Sequence, residues 1–260
     1  MGVSSTHQLQ SSRFELKYII DENCARALRE FASGYLVPDE NAVEKPNCEY
    51  PVHSLYLDSV DLALCRSTMT GEKNRFKLRI RFYDDRPESP VFFEIKRRQD
   101  RVILKQRAAV HREAGERLLA GHWPRLSDLI KPSANALGAL ERFCSLRNLI
   151  RAEGRVFVSY MREAYVSPND NSVRLTFDRN LSGCRYEGKL CLSDSGAWIK
   201  PEVGGVVLEM KFTDRFPIWM REMVRAYNLD RCSMAKYVTC AQGLLSTQWL
   251  LMQGYKEIKL

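Results

Sequence analysis

Basic residues occupy every second position between residues 76 and 83. Lys77, Arg79 and Arg81 alternate there with apolar residues. Because successive side chains of a β-strand point to opposite faces, the three cations are expected on one face. Arginine and lysine bind phosphate oxygens, arginine often through two parallel hydrogen bonds. The pattern therefore favours a strand that binds a polyanionic ligand, and polyphosphate is the candidate that fits best.

Carboxylates stand among the basic residues on several such faces. The pairs with matching parity are Glu15 and Lys17, Glu94 and Lys96, Arg174 and Asp178, and Glu209 and Lys211. Mg²⁺ and Mn²⁺ take oxygen ligands from one or two carboxylates and from phosphate groups. The mixture predicts a metal–polyphosphate site with Mn²⁺ or Mg²⁺ as cofactor. Glu209 is the first candidate ligand, with help from Glu94 or Asp178.

Several segments of the chain must position these side chains. The segments predicted as strands are Phe14–Ile20, Val52–Leu57, Arg75–Tyr83, Val91–Arg98, Val102–Val110, Arg155–Val166, Val173–Leu181, Arg185–Leu192 and Val206–Phe212. The segments predicted as helices are Glu22–Leu36, Leu62–Ser67, Arg112–Leu119, Leu126–Ile150 with a break near Pro132, Pro217–Tyr227 and Met234–Leu251. Val37–Pro51, with three prolines and many polar residues, is predicted as a loop.

So many strands with one charged face predict a sheet that closes around a charged interior, with helices packed outside. The alternative is an ordinary antiparallel sheet whose polar face lies in water. Strands on both sides of the central helical block share the pattern, and no linker divides the chain. We therefore expect a flexible leader over residues 1–12 and a single α+β domain over residues 13–260.

Composition narrows the class of protein. The 260 residues carry a net charge of +8, which suits a polyanionic partner but does not choose among nucleic acid, membrane, nucleotide and polyphosphate. The eight cysteines form no CxxC pair, so we expect reduced thiols and no structural zinc. The polar start of the chain and the lack of a long apolar run predict a cytoplasmic protein with no transmembrane segment.

Other catalytic chemistries find little support in the residues. The four histidines are scattered and have no nucleophile at a recognisable spacing. The chain has neither a Gly-x-Gly-x-x-Gly motif nor a Walker loop. A phosphate acceptor is already anionic at neutral pH, so its attack on a phosphoryl group requires no general base. Phosphoryl transfer by positioning and charge neutralisation is therefore the leading hypothesis.

An ordered set of short motifs carries a family resemblance. The motifs are Arg13–Tyr18, Ser54–Asp58, Lys77–Arg81, Phe93–Lys96, Ser159–Arg162, Val173–Arg174, Leu208–Lys211 and Ala235–Tyr237. Together they resemble the VTC domain, the polyphosphate polymerase branch of the CYTH-like triphosphate tunnel metalloenzymes, in its bacterial stand-alone form. The resemblance implies an eight-stranded antiparallel tunnel that adds the γ-phosphate of ATP to a growing polyphosphate chain.

The resemblance also implies roles for individual residues. Those that resemble the phosphate-binding set are Lys17, Arg79, Arg81, Lys96, Lys105, Tyr160, Arg162, Arg174 and Lys236. Glu209 resembles the metal-ligating glutamate. Arg79, Arg81 and Lys96 are expected to clamp the transferred and acceptor phosphates. Lys77 and Lys211 share faces with these residues and are further candidates for substrate binding.

Two departures from the family pattern bear on the reaction. Tunnel hydrolases open with Glu-x-Glu-x-Lys, whereas this chain has Arg13 at the first position, which favours the polymerase branch. Ala235 stands where the family usually has a serine, so one hydroxyl contact to phosphate is in doubt. A tri- or polyphosphate hydrolase of the same fold and a non-catalytic binder of polyphosphate or nucleic acid remain alternatives. Because a nucleic-acid binder needs accessible aromatic platforms beside its basic residues, no nucleic acid is expected.

Overall fold

The structure, a computed structural model, describes residues 13–100, 102–168, 172–192 and 196–244. The predicted leader and the last part of the predicted C-terminal helix lie outside the described residues. The strands are β1 Arg13–Ile20, β2 Val37–Pro38, β3 Glu49–Asp58, β4 Asn74–Phe82, β5 Val91–Gln99, β6 Val102–Val110, β7 Glu153–Val166, β8 Val173–Arg185 and β9 Val206–Thr213. The helices are α1 Glu22–Ala32, α2 Ala63–Met69, α3 Arg112–Leu119, α4 Ala134–Leu149, α5 Ile218–Ala226 and α6 Lys236–Leu244.

All nine strands belong to one antiparallel sheet, which confirms the α+β class. Eight of them follow the order β1-β9-β8-β7-β3-β4-β5-β6, and the short β2 pairs with β7. The first and last strands of this path, β1 and β6, come within 8 Å of each other at their Cα atoms. The sheet is therefore strongly curved, and its concave face encloses a space that we call the lumen.

The predicted closure into a barrel is wrong for the described residues, because no backbone ladder joins β1 to β6. A side-chain contact spans the gap instead, since Lys96 Nζ on β5 donates to Glu15 Oε2 on β1 at 2.8 Å. The position of α6 gives a physical reason for the gap. This helix packs on the concave face, and a helix with its side chains is about 10–12 Å wide.

Two apolar clusters cover the convex face, as the sequence pattern predicts. One packs α3 and α4 against β4 and β5, with Leu78, Ile80 and Phe93 at its centre. The other packs α1 and α5 against β1, β8 and β9. On β4, Leu78 and Ile80 face outward. Because side chains alternate strictly along the strand, Lys77, Arg79 and Arg81 face the lumen.

The expectation that all helices pack outside is corrected by a third cluster, on the concave face. Val156, Val158 and Val207 point inward there and pack against Tyr237 and Val238 of α6. Gly183 on β8 allows this close approach, because a Cβ at that position would lie 2.7 Å from Cys240 Cβ. One part of the lumen is thus apolar and filled by a helix, and the charged residues line the remainder.

A buried carboxylate fixes α6 to the sheet. Asp58, at the end of β3, accepts hydrogen bonds from the backbone N–H groups of Leu64 and Cys65 at the start of α2, both at 2.9 Å. The same carboxylate accepts a hydrogen bond from the Tyr237 hydroxyl at 2.8 Å. Burial raises the pKa of Asp58, and its hydrogen bonds partly offset that rise. These contacts place the neighbouring residue, Lys236, in the lumen.

Two local predictions are wrong. Arg185–Leu192 is not a separate strand, because β8 continues to Arg185 and the chain then turns at Gly188, whose φ is +99°. Val37–Pro51 is not all loop, since it contains β2 and the start of β3. None of the described helices is both long and apolar enough to cross a membrane.

Candidate functional site

The lumen brings the sequence-predicted site residues together from seven strands and one helix. Strand parity and side-chain contacts place each of them there, and we describe two ionic clusters and then the cations outside them. The Glu209 cluster consists of Glu209, Asp178, Lys17, Lys211, Lys236 and Arg162. The Glu94 cluster consists of Glu94, Arg79, Lys105 and Arg107.

Glu209 is surrounded by cations. Its Oε1 lies 3.0 Å from Lys236 Nζ and 3.5 Å from Lys17 Nζ. Its Oε2 lies 2.7 Å from Lys211 Nζ and 3.6 Å from Arg162 Nη2. Burial alone would raise the pKa of Glu209, but these four cations outweigh that effect and hold the pKa well below its usual range. The four cations therefore favour the ionised carboxylate of Glu209.

Asp178 completes the same cluster. Arg162 donates to its two oxygens in a bidentate pair, with both distances 2.7 Å, and Lys236 Nζ lies 2.6 Å from its Oδ2. Burial opposes ionisation of Asp178, yet Arg162 and Lys236 lower its pKa. The same carboxylates raise the pKa of Lys236 against the effect of its burial. Each of these buried cations thus contacts a carboxylate, although the cluster holds four cations and two carboxylates.

Glu94 organises the cluster on the other side of the lumen. Arg79 Nε donates to its Oε2 at 2.7 Å, and Lys105 Nζ lies 2.7 Å from its Oε1. Arg107 Nε lies 3.4 Å from the same Oε1. Burial raises the pKa of Glu94, but the surrounding cations lower it by more, so that the pKa lies below its ordinary value. Its partners make Glu94 the residue that orients Arg79, and it does not join Asp178 and Glu209.

Arg81 has a different environment. It is buried, with 8% of its surface exposed, and its hydrogen bonds are to neutral groups, although its charge helps to lower the pKa of Glu94. Its Nη2 lies 3.3 Å from the Tyr160 hydroxyl and its Nε 3.5 Å from Ser54 Oγ. The Tyr160 ring in turn lies beneath Lys236 Nζ, 4.9 Å from the ring centroid. Tyr160 thus links Arg81 to the Glu209 cluster.

Lys77 and Arg81 are the only two cations among the predicted site residues for which the described part of the chain supplies no carboxylate partner. Lys77 lies among Lys17, Lys96 and Arg79 and has no hydrogen-bond acceptor in the described residues. Burial and these cations lower its pKa to about 7. An ammonium in such a place is stabilised by a bound anion.

The remaining predicted residues are also in the lumen. Lys96 pairs with Glu15, and Lys17 Nζ donates to the backbone oxygen of Met234 at 2.9 Å. Arg174 pairs with Asp39 at 2.6 Å and also donates to the Tyr50 hydroxyl at 3.2 Å. Burial lowers the pKa of Lys105 and that of Lys211 to about 8, although carboxylates partly offset the effect.

Only two of the three predicted metal ligands lie together. Asp178 and Glu209 both contact Lys236, whereas Glu94 belongs to the other cluster. The described residues contain no group of three or more His, Cys, Asp or Glu side chains that could hold a metal. Thr176, the register partner of Glu209, adds an oxygen, since its buried Oγ1 has no hydrogen-bond partner there. Two ionised carboxylates and a hydroxyl fit a hard cation whose other ligands are phosphate oxygens.

Several residues of the site were missed in the sequence. Asp39 and Tyr50 lie in the segment predicted as a loop, and no local pattern marks them. Tyr56 could have been found by parity, because it alternates with Leu55 and Leu57 on β3 and therefore faces the lumen. Its hydroxyl accepts from Arg79 Nη1 at 3.3 Å, and its ring stacks on Tyr237 with centroids 4.7 Å apart.

Comparisons with known proteins agree with this architecture. A family model described as the VTC domain matches residues 12–245. A crystal structure from Bacillus halodurans, named as that of a candidate adenylate cyclase, is similar with a TM-score of 0.52; the match covers 91% of this chain and 98% of that chain at 13% sequence identity. At that identity the likeness shows a common fold alone. No curated protein matches the chain.

Proposed function

Because the chain belongs to the VTC domain family, we propose that it is a polyphosphate polymerase that transfers the γ-phosphate of ATP to the end of an inorganic polyphosphate chain. The observation that carries the proposal is the lumen itself, where lysines and arginines outnumber carboxylates and surround Arg81, a buried guanidinium with no carboxylate partner in the described residues. Such a guanidinium suits a phosphate oxygen, which it can bind through two parallel hydrogen bonds.

The proposed reaction requires no general base from the protein. The attacking oxygen belongs to a phosphate that is anionic at neutral pH, so no side chain has to remove a proton from it. Catalysis then consists of holding donor and acceptor in line and neutralising the charge that develops on the transferred group. Arg81 and Arg79 would bind the transferred phosphoryl group. Lys96 would break its ion pair with Glu15 and bind the acceptor phosphate instead.

The carboxylates have two different roles in this proposal. Glu94 orients Arg79, and Glu209 with Asp178 would hold Mn²⁺ or Mg²⁺. Such a cation would neutralise negative charge on the phosphate groups of the substrate. When Glu209 holds the metal, three lysines that now contact it must turn toward phosphate: Lys17, Lys211 and Lys236.

Exclusion of water favours transfer over hydrolysis. The concave face is covered by α6 on one side, and the apolar cluster around Tyr237 lines that part of the lumen. A phosphoryl group held between Arg81 and the Glu209 cluster would meet a phosphate acceptor more often than a water molecule.

One assay tests the proposed activity. Purified protein is incubated with ATP and Mn²⁺, and the products are separated on a gel stained for polyphosphate while free phosphate is measured. We expect a long polymer and a matching amount of ADP, and no polymer from the Arg81→Ala variant. Free phosphate alone would indicate a hydrolase, a cyclic nucleotide would indicate a cyclase, and no product would indicate a binding protein; each of these results contradicts the proposal.

A further inference from the structure

Three residues of the motifs that carry the family resemblance have no role in the proposed reaction. Tyr56 and Asp58 belong to the motif Ser54–Asp58, and Tyr237 ends the motif Ala235–Tyr237. All three side chains are buried. They also lie together, because Tyr237 contacts both of the others. Their contacts connect the start of α6 to β3.

Tyr237 is attached to β3 in two ways. Its hydroxyl donates to Asp58 Oδ2 at 2.8 Å, and its ring stacks on Tyr56, with centroids 4.7 Å apart and ring planes 8° apart. Burial and the Asp58 charge raise the pKa of Tyr237, so the phenol keeps its proton and remains a donor. Asp58 is itself held by three backbone N–H groups at the end of β3 and the start of α2. The first turn of α6 is thus fixed to a rigid part of the sheet.

The preceding residue, Lys236, contacts another wall of the lumen. Successive side chains of an α-helix point about 100° apart, so neighbours in sequence can face different elements. Lys236 Nζ lies 2.6 Å from Asp178 Oδ2 on β8 and 3.0 Å from Glu209 Oε1 on β9. Two adjacent residues of α6 therefore join the Glu209 cluster to β3.

Two tyrosines extend these contacts to the arginines of β4. Tyr56, which stacks on α6, accepts a hydrogen bond from Arg79 Nη1 at 3.3 Å. Tyr160 has its hydroxyl 3.3 Å from Arg81 Nη2 and its ring beneath Lys236 Nζ. A displacement of α6 would therefore change the surroundings of both arginines that are proposed to bind the transferred phosphoryl group.

We propose that Tyr237 is a positioning residue, which holds the start of α6 against β3 so that the Glu209 cluster and the arginines of β4 keep a fixed separation. The inference rests on the proposed function, because the groups that Tyr237 positions are those proposed to bind the reacting phosphates. A displaced α6 would leave the charges of the lumen in place, so phosphate would still bind. The reacting groups would be aligned less well, and the chemical step would be slower.

Two substitutions separate the contacts of Tyr237. Tyr237→Phe removes the hydrogen bond to Asp58 and keeps the ring, whereas Tyr237→Leu removes both contacts. The matched control is Tyr165→Phe, because the buried Tyr165 hydroxyl also donates to a carboxylate, Glu163 Oε1, at 2.6 Å, but its ring belongs to the apolar cluster on the convex face. The rates of ADP and polyphosphate formation give kcat and KM for ATP, and a melting curve of each variant measures its stability.

We expect Tyr237→Phe to lower kcat about tenfold, the effect of one hydrogen bond, and to change KM by less than about twofold. Tyr237→Leu should lower kcat about a hundredfold, the usual cost of a misplacement of about 1 Å. Tyr165→Phe should lose a similar amount of stability and keep kcat within about twofold of the wild type. An unchanged kcat per folded molecule in Tyr237→Phe, or an equal fall in the control, would overturn the inference. A Tyr237→Leu variant that does not fold leaves the decision to Tyr237→Phe.

Crystal structures of the wild type and the two Tyr237 variants separate this inference from the proposed function. A wild type that forms no polymer defeats the proposed function. The structures then decide the positioning role: relative to β8, the Cα atom of Lys236 should move by about 1 Å or more in Tyr237→Leu, or in Tyr237→Phe where the leucine variant does not fold. An unmoved α6 would show that Tyr237 does not hold it.

Discussion

Two sets of cations face the lumen, and they differ in what neutralises them. In the Glu209 cluster every lysine and arginine contacts a carboxylate, and Asp178 holds Arg162 in a bidentate pair. On β4, another strand of the same sheet, Arg81 contacts neutral hydroxyl groups and Lys77 contacts no acceptor in the described residues.

The difference separates two functions that look alike in the sequence. A compensated buried charge contributes to the stability and shape of the site, because removing one partner leaves the other unpaired. An uncompensated charge contributes little to stability and is available to a ligand. Substitutions in the Glu209 cluster should therefore change folding, and those at Arg81 and Lys77 should change function.

The largest effect on stability is expected from Asp178→Asn. The amide keeps the shape but leaves Arg162 and Lys236 buried without their counter-charge, which costs about 3–5 kcal/mol of unfolding free energy. Denaturant titration measures the change. The control is Glu153→Gln, since Glu153 is 75% exposed and pairs with Arg155 at 3.4 Å, a contact expected to contribute less than about 1 kcal/mol. Similar losses in the two variants would remove the distinction between compensated and exposed charges.

The largest effect on turnover without a loss of fold is expected from Arg81→Ala. Its partners are Tyr160 and Ser54, both neutral and at 3.3 Å or more, so stability should change by about 1 kcal/mol or less. Turnover should fall by about 10²–10³, the cost of removing one donor to a transition-state charge. Arg81→Lys should restore little, because an ammonium cannot replace a bidentate fork. A fully active alanine variant would exclude Arg81 from phosphate binding.

Glu209→Gln tests whether the carboxylate that contacts the most cations also binds a metal. A neutral amide is a poor ligand for a hard cation, so the Mn²⁺ concentration needed for half-maximal turnover should rise at least about tenfold. Binding of polyphosphate in the absence of metal should persist or tighten, because a negative charge has left the lumen. Unchanged metal dependence with a lowered melting temperature would leave Glu209 a structural role only.

The pH dependence of stability should reveal the lysines whose pKa values are lowered in the folded protein. The pKa of Lys77 is lowered to about 7 and those of Lys105 and Lys211 to about 8, all below the ordinary value of a lysine. The folded protein holds these protons less tightly than the unfolded chain, so the unfolding free energy should rise with pH from about 7. The thiols of Cys65 and Cys240, whose pKa values burial raises to about 12, act oppositely above about 8.5.

Thermal melts between pH 7 and 8.5 measure this rise. We expect a smaller slope in Lys77→Met, because the variant lacks one of the three lysines. Saturating polyphosphate should abolish the rise in the wild type, since a bound anion restores the affinity of these ammonium groups for their protons. A melting temperature that does not change with pH in the absence of ligand would show that carboxylates of the protein already compensate the charges of these lysines.

The smallest effect is expected from Glu15→Gln. The variant frees Lys96 and Lys17, whose side chains are 34% and 20% exposed and therefore partly screened in their pairs with Glu15. Stability should change by less than about 1 kcal/mol. Affinity for polyphosphate should rise slightly, and a fall in affinity would show that Glu15 orients Lys96 rather than competing with the ligand.

The sequence predicts the face of a residue more reliably than its partner. Strict alternation on β4 is a local property, and it places Lys77, Arg79 and Arg81 in the lumen as expected. The same alternation cannot show that Arg81 lacks a carboxylate, because the neighbours of Arg81 come from β3 and β7. The contrast between Arg81 and Arg162 therefore required the structure.

Long-range contacts explain the other differences. Asp39 pairs with Arg174 across 135 residues of chain, and the segment around Asp39 has no regular pattern. The place of α6 on the concave face depends on the contact between Asp58 and Tyr237 and on the space that Gly183 leaves. Closure of the sheet depends on the register between β1 and β6, to which no local pattern contributes.

The most direct test of the account is a crystal structure of the protein with tripolyphosphate and Mn²⁺. We predict phosphate oxygens within hydrogen-bonding distance of Arg81 and Lys77, with the bidentate pair of Arg162 and Asp178 unchanged. Anions found only on the convex face, or a lumen in which Arg81 and Lys77 make no contact with phosphate, would contradict the claim that the uncompensated cations bind phosphate.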